Sequence, residues 1–414
     1  MPSLKLLAVA SPIDPGLAAS LHGATFSLTS SAESADVQIE FLGLERDADS
    51  VPVGGRGDLA IAVMTGGTEA IILRVARSWE GGVALLATPN SNSLAASVEA
   101  AAALRSEGLF VRVVRASSWA SFRWDDVLRA IRMSEAVRVL SRAKFGLIGA
   151  PSDWLVASPP TLGPLERLGA ALERIEMDRL VEAYERCNPD PREVEEVFSR
   201  ARESHVPREE VEKALRMKRA LEEVIKSGGY LGVTVRCFDL IGRGVTACLG
   251  AAALNDADRI VGCEGDVPSM MSMAVLAAVS GRPAWMANTT DIGRDSLLLS
   301  HCTFPLRLAE AYSLKTHFES GLSVGVDAEL AAGERVTVLR VDPRGARAVV
   351  GAGTVRESSM GREMMCRTQV LLSLSGAGRL LRAPVGNHVA MTTGDFADDV
   401  RDVLEFLGFT VSRL

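Results

Sequence analysis

The sequence predicts a mixed α/β protein: two doubly wound α/β domains followed by a small, antiparallel β-rich C-terminal domain. Three observations predict it. Short runs rich in Val, Ile and Leu alternate with helical patterns over the first 150 residues. The same alternation returns between residues 230 and 304, and from about residue 305 the pattern becomes period-2 strands separated by Gly, Pro and Asp turns. Near-continuous apolar strands fit parallel sheets covered on both faces, and repeated strand–helix–strand fits packed layers. Regular alternation with frequent turns fits a barrel or sandwich.

Taken in order, LKLLAVA (4–10), DLAIAVMTGG (58–67), GVALLATP (82–89), LFVRVVRA (109–116) and KFGLIGAP (144–151) are the first expected strands. Helices are expected over 93–108 and 124–143, the second entered through a Trp124-Asp125-Asp126 turn that can cap it. Residues 160–227 hold almost no strand signal; Pro189, Pro191 and Pro207 divide them into separate helices that Asn188 or Asp190 can cap. This stretch reads as a solvated helical excursion, with a subunit contact as the alternative. A strand over 230–241, a helix over 244–256, a strand over 259–266 and a helix over 267–281 follow, then strands over 282–292 and 296–304. The tail, 396–411, reads as a helix and a last strand. The expected domains are therefore 1–142, 143–304 with the excursion at 160–227, and 305–414.

Composition narrows the function classes. A chain of 414 residues is too long for one ordinary core, and 47% hydrophobic with 23% charged residues is the balance of a soluble globular protein. The net charge of −7 comes without any Lys/Arg block interleaved with aromatics, which argues against nucleic acid. No apolar run reaches the roughly 18–20 residues of a membrane span. MPSLKLLAVASPIDPG reads as a first strand and turn rather than a cleaved signal. The six cysteines form no C-x-x-C pair and sit in apolar runs, so they read as buried small residues in a reducing cytoplasm. Only Gln38 and Gln369 represent glutamine, a depletion that suggests a thermophilic source.

The strongest chemical signal is a pair of strand ends. Glu264 ends IVGCEGD and Asp291 ends AWMANTTD, with a helix of crossover length between them. Read as neighbouring parallel strands, they place two carboxylates where ligands bind in open α/β sheets, able to hold a divalent cation or to divide acid and base roles. Asp266 and Asp295 read first as caps. His388 lies in PVGNHVAMTTGD, read as a polar loop with Gly386 and Asn387 beside it; an imidazole with two carboxylates and open positions suits Mn²⁺. His301, in SHCTF, can be a ligand, a substrate contact or simply buried. In the N-terminal half, TGGTE (65–69) and TPNSNSLAAS (88–97) each link a strand to a helix, and Asn90 and Asn92 can cap the helix or reach substrate. Cys302 directly follows His301, and adjacent strand residues face opposite ways, so a cysteine nucleophile with that base is disfavoured.

These motifs resemble the L-fucose isomerase and L-arabinose isomerase superfamily, in particular its shorter fucose-isomerase-like members. TGGTE (65–69), NSLAAS (92–97), VRCFDLI (235–241), CEGDVPSMMSM (263–273), ANTTDI (287–292), SHCTFP (300–305) and PVGNHVAM (384–391) carry the resemblance. It implies two Rossmann-like domains and a β-rich C-terminal domain, a homo-oligomer with interfacial sites, and aldose–ketose isomerisation of a small sugar through a metal-stabilised enediolate. It also implies Mn²⁺ or another divalent cation bound by Glu264, Asp291 and His388, with Glu264 and Asp291 as the proton-transfer residues. His301, Asn387, Asn90, Asn92 and Trp154 are the candidate substrate contacts. Aromatic residues are only 5% of the chain, so platforms for a sugar ring are few: Trp119, Trp124, Trp154 and Trp285. The alternative is a non-catalytic sugar-binding or regulatory relative on the same fold.

Overall fold

The computed structural model describes residues 2–12, 18–51, 53–257 and 259–414. The chain divides into two compact units, Met1–Val139 and Leu140–Leu414.

The first unit comprises β1 (Ser3–Val9), α1 (Ala18–Glu33), β2 (Gln38–Glu45), β3 (Leu59–Val63), α2 (Glu69–Ser78), β4 (Val83–Ala87), α3 (Ser93–Ser106), β5 (Arg112–Arg115) and α4 (Trp124–Leu140). Its five strands form a parallel sheet in the order β2-β1-β3-β4-β5. Side chains alternate between the two faces of a strand, and here both faces are buried. Leu4, Leu6, Ala60, Ala62, Ala84 and Leu86 meet Leu21, Leu28, Val127 and Ile131 of α1 and α4 on one side. Leu7, Val9, Ile61, Val63 and Leu85 meet Ile72, Val75, Ala100 and Leu104 of α2 and α3 on the other. This double burial is why these strands read as unbroken apolar runs.

The second unit begins with β6 (Lys144–Ile148), α5 (Pro164–Leu168), β7 (Ala171–Ile175), α6 (Met177–Arg186), α7 (Pro191–Arg200), β8 (Glu203–Ser204) and α8 (Arg208–Gly228). Asp190 caps α7 by accepting from the Arg192 amide, with Pro191 in the first turn. Helix α8 is amphipathic: Val211, Leu215, Leu221, Val224 and Ile225 are buried while its charged side chains pair outside. The excursion also contains two strands that the sequence reading lacks: the two-residue β8, and β7, which pairs with β6 although ALERI carries two charges and buries only Ile175. Then come β9 (Gly232–Val235), α9 (Cys248–Asp256), β10 (Ile260–Cys263) and α10 (Val267–Ser280). The strand expected over 230–241 stops at Val235 and gives way to a 3₁₀ turn over Cys237–Arg243. A four-stranded parallel sheet runs β10-β9-β6-β7.

The rest is mainly antiparallel. It consists of β11 (Trp285–Ile292), β12 (Ser296–His301), β13 (Ala311–Lys315), β14 (Gly325–Glu329), β15 (Arg335–Asp342), β16 (Arg347–Ser358), β17 (Thr368–Ser373), α11 (Arg379–Arg382), β18 (His388–Thr393), α12 (Ala397–Phe406) and β19 (Thr410–Arg413). Strand β19 and the short β8 pair in parallel at its edges. One sheet runs β15-β18-β11-β12-β17-β16-β19, and β16 pairs back with β15, so the first six strands of that order close into a barrel-like ring. Closure leaves few free edges. The ring takes in β11 and β12, so the antiparallel region begins at Trp285 rather than at residue 305, inside the stretch read as a second parallel unit. Trp285, Val336, Val338, Val349, Val370 and Leu372 fill its core. Among the described residues no helix is long and apolar enough to cross a membrane.

Candidate metal centre

At the carboxyl end of β10 the chain turns sharply through two left-handed residues, Glu264 (φ 62°) and Gly265 (φ 67°), into α10. A non-glycine residue there is strained by about 1 kcal/mol or more, a cost that persists only where surrounding contacts impose it. Those contacts are present: the Ser152 amide donates to the Glu264 carbonyl (2.8 Å) and the Gly265 amide to that of Val235 (3.0 Å). A Cβ on Gly265 would lie 2.3 Å from the Ala150 carbonyl oxygen, so only glycine lets the loop after β6 close against this turn.

The turn aims Glu264 at two histidines of the antiparallel ring. His301 ends β12 and His388 begins β18; β11 lies between those strands, with Asn288 in register with both Ser300 and His388. Their rings sit 5.8 Å apart, centroid to centroid. Glu264 Oε1 lies 3.8 Å from His301 Nε2 and 3.5 Å from His388 Nε2. One ligand atom from each of the three residues falls within 4.8 Å of the others, and all three residues are buried. Glu264 Oε2 is held separately, accepting from the Trp154 indole N–H at 2.7 Å.

Each histidine is held through its other nitrogen. His301 Nδ1 lies 3.1 Å from the Thr303 hydroxyl, and His388 Nδ1 lies 2.9 Å from Asp266 Oδ2. Asp266 is fully buried and caps α10 by accepting from the Ser269 amide (2.8 Å), as its sequence position implies. It also pairs with buried Arg340 at 3.1 Å. With Nδ1–H given to Asp266, His388 Nε2 is buried without a hydrogen-bond partner among the described residues. Buried polar atoms are rarely left in that state.

Charge follows from these contacts. Burial pushes the Glu264 carboxyl up, but the His301 and His388 rings together outweigh burial and hold it well below the ordinary carboxylate range. For Asp266, burial is likewise overcome, chiefly by the Arg340 guanidinium and then by His388, so it also stays ionised. Burial lowers His388, while the Asp266 and Glu264 carboxylates raise it further, to about 9.

The expected set therefore needs one correction. His301 stands in the group where the sequence reading put Asp291. Asp291 is exposed, beyond a bulge in β11, in register with Leu298. The reason is sheet membership: β11 belongs to the antiparallel ring and is not a parallel neighbour of β10, so its carboxyl end does not meet that of β10. His388 occupies a buried strand start rather than a polar loop. Asn387 is exposed; its amide donates to Asn288 Oδ1 (3.4 Å) and its carbonyl accepts from Thr289. Trp154 is half exposed beside Glu264, with Phe238 edge-on to it at 4.9 Å, whereas Trp124 and Trp285 are buried and offer no platform. Asn90 and Asn92 lie in the first unit, in the exposed turn after β4. Asn92 is left-handed and makes no side-chain cap to α3. Asp295 accepts from the Gly376 amide (2.9 Å), a turn-holding role. All six cysteines are free thiols. Sequence reasoning missed Thr303, Arg340 and the second task of Asp266. Only Asp266, two residues after Glu264, carried a local signal.

No family model matches the chain, and no curated protein matches it.

Proposed function

We propose that the chain is a divalent-metal-dependent aldose–ketose isomerase of the L-fucose isomerase type, with Glu264, His301 and His388 holding the metal. The observation that carries this reading is the orphaned His388 Nε2, buried and facing a carboxylate and a second imidazole. One carboxylate and two neutral imidazoles with open positions suit Mn²⁺ or a similar ion. Such an ion would polarise the carbonyl and neighbouring hydroxyl of an open-chain sugar and acidify the C2 proton.

The residues divide the remaining work. Glu264 is the only carboxylate in the group and is held ionised, so it is the base at hand for the C2 proton, with Oε2 positioned by the Trp154 N–H. Thr303 and Asp266 hold the two rings in place. The exposed indole face of Trp154 offers the apolar side of a sugar a surface beside the reacting atoms. The parallel first unit, with helices on both faces, supports a doubly wound, Rossmann-like reading of that unit. Assembly as a homo-oligomer belongs to the same proposal.

The test is direct. Calorimetric titration with Mn²⁺ is expected to give about one site per chain. The Mn²⁺-loaded protein in deuterated water is expected to exchange the C2 proton of at least one aldose in a panel of pentoses, hexoses and deoxyhexoses, read by NMR. Metal binding with no exchange on any sugar would overturn the isomerase reading and leave a binding protein.

A further inference from the structure

Arg340 is among the largest fully buried side chains of the molecule, and its charge lies in an interior that ordinarily excludes it. All three of its guanidinium nitrogens donate hydrogen bonds. Nη1 donates to both oxygens of Asp266 (3.2 and 3.1 Å) and to the Ser269 hydroxyl, Nη2 to the Ser158 hydroxyl (2.7 Å), and Nε to the Val385 carbonyl (3.3 Å). One side chain on β15 thus ties together the start of α10, the loop after β6 and the segment leading into His388. Gly386 makes room for it: a Cβ there would lie 2.6 Å from Nη2 and 2.9 Å from Cζ.

Helix capping does not account for this. An N-cap needs a short polar side chain accepting one amide, which Asp266 supplies to Ser269 without help. A buried ion pair is also a poor source of stability, since well-packed apolar groups often do as well. What the pair does that apolar groups cannot is constrain the imidazole that meets Asp266. An ionised carboxylate only accepts, so Asp266 must take the Nδ1–H of His388 at 2.9 Å, which turns Nε2 toward Glu264 and makes it the nitrogen that gives up its proton to a metal. Arg340 Nη1, donating to both carboxylate oxygens, fixes the rotamer in which Oδ2 meets that ring.

From this geometry we infer that Arg340 and Asp266 are a positioning pair that sets the tautomer and aim of His388. Arg340 acts through Asp266 without touching the imidazole. The inference rests on the metal-centre reading for its purpose, but its first readout needs no metal.

With five histidines in the chain, ring N–H groups can be assigned by ¹⁵N NMR. In the metal-free protein one slowly exchanging, downfield Nδ1–H is expected from His388. Arg340→Met should speed its exchange by at least about tenfold, as Asp266→Asn should. Ser158→Ala, which removes a neutral partner shared by the guanidinium (2.7 Å) and Asp266 Oδ2 (3.5 Å), should give a smaller change of the same sign and keeps the test open if the charged variants do not fold. In calorimetry, Arg340→Met and Asp266→Asn should weaken Mn²⁺ binding by about 10–100-fold, the usual effect of losing a partner that orients a metal-binding histidine. A purely structural ion pair would lower the melting temperature and leave both the ring proton and the Mn²⁺ affinity of the folded variants unchanged. That result overturns the inference. Wild-type protein that shows the protected ring proton and its loss in the variants, yet binds no Mn²⁺, would instead overturn the metal reading and leave the positioning pair standing.

Discussion

The carboxyl edges of the two parallel sheets are furnished very differently. In the first unit, the loops after β3 and β4 present hydroxyls and amides, and most of these serve the loops themselves. Thr65 Oγ1 accepts from the Ser11 amide (2.7 Å), Thr68 Oγ1 donates to the Thr65 carbonyl (3.0 Å), and Ser93 Oγ accepts from the Thr88 amide (3.1 Å). The Thr88 hydroxyl is the exception, buried without a partner among the described residues. In the second unit, the turn after β10 presents two carboxylates, answered by two imidazoles and a guanidinium from strands of the antiparallel ring. Hydroxyls satisfy a turn cheaply and in neutral form. Buried charges cannot be left that way, because each needs a partner or a strong shift in its titration. A cluster that pairs its charges and still leaves one imidazole nitrogen open is therefore a stronger sign of chemistry than a polar loop at the same topological position.

The comparison breaks most visibly at the carboxylates. Glu264→Gln keeps the shape but loses the charge, and Mn²⁺ affinity is expected to fall by about 100-fold or more, because two imidazoles alone hold a hard cation weakly. Asp291→Asn should change it by less than about threefold, since Asp291 is exposed and outside the group. Equal losses in the two variants, measured by calorimetry, would restore Asp291 to the first coordination sphere and undo the one-carboxylate, two-imidazole site.

Acidity sharpens the contrast next, and the signs oppose one another with and without metal. His388 titrates near 9, above its unfolded value of about 6.5. Its contribution to the stability of the metal-free protein is thus complete below pH 6.5 and lost as pH rises through about 9. Glu264 and Asp266 are depressed, so their contributions are present above their unfolded values near pH 4 and are lost on acidification. The metal-free protein should be most stable between roughly pH 5 and 6.5, with a melting temperature lower by on the order of 5 °C at pH 9.5. Metal must displace the Nε2 proton, so Mn²⁺ affinity should rise about tenfold per pH unit up to about 9. Parallel pH trends for stability and affinity, followed by calorimetry and thermal melts, would show that His388 is not the group being titrated.

What was legible in the sequence follows the range of the forces involved. Strands β1, β3, β4 and β6 announce themselves because both faces are buried, and Glu264 and Asp266 announce themselves because a strand end and a helix cap are local features. Sheet membership is not local. AWMAN reads as a parallel core strand because Trp285, Met286 and Ala287 are fully buried, yet its partners are β12 and β18, the latter about a hundred residues on. The misplacement of Asp291 and the open status of His301 both come from that one long-range fact. Arg340 was invisible for a similar reason. In VTVLRVD it shares a face with Val336 and Val338, where period 2 alone offers no partner for a charge, and only Asp266, 74 residues earlier, makes its burial intelligible. Strand β7 shows the converse, a sequence of helical composition drawn into a sheet by its neighbour β6.

The smallest expected effect lies on the hydroxyl-lined edge and tests whether it is purely architectural. Thr65→Val keeps the branched shape of a buried residue while removing the oxygen that accepts from Ser11 and donates to the Gly66 carbonyl at 3.1 Å. A neutral hydrogen bond of this kind contributes about 1 kcal/mol, which corresponds to a melting-temperature loss of roughly 2–4 °C for a unit of this size. Mn²⁺ affinity and the His388 ring proton should both match wild type. If Thr65→Val instead raises the sugar concentration needed for half-maximal C2 exchange while leaving the melting temperature alone, the first unit's edge contacts substrate. The hydroxyl-lined edge would then count as a binding surface in its own right and not as a self-satisfied one.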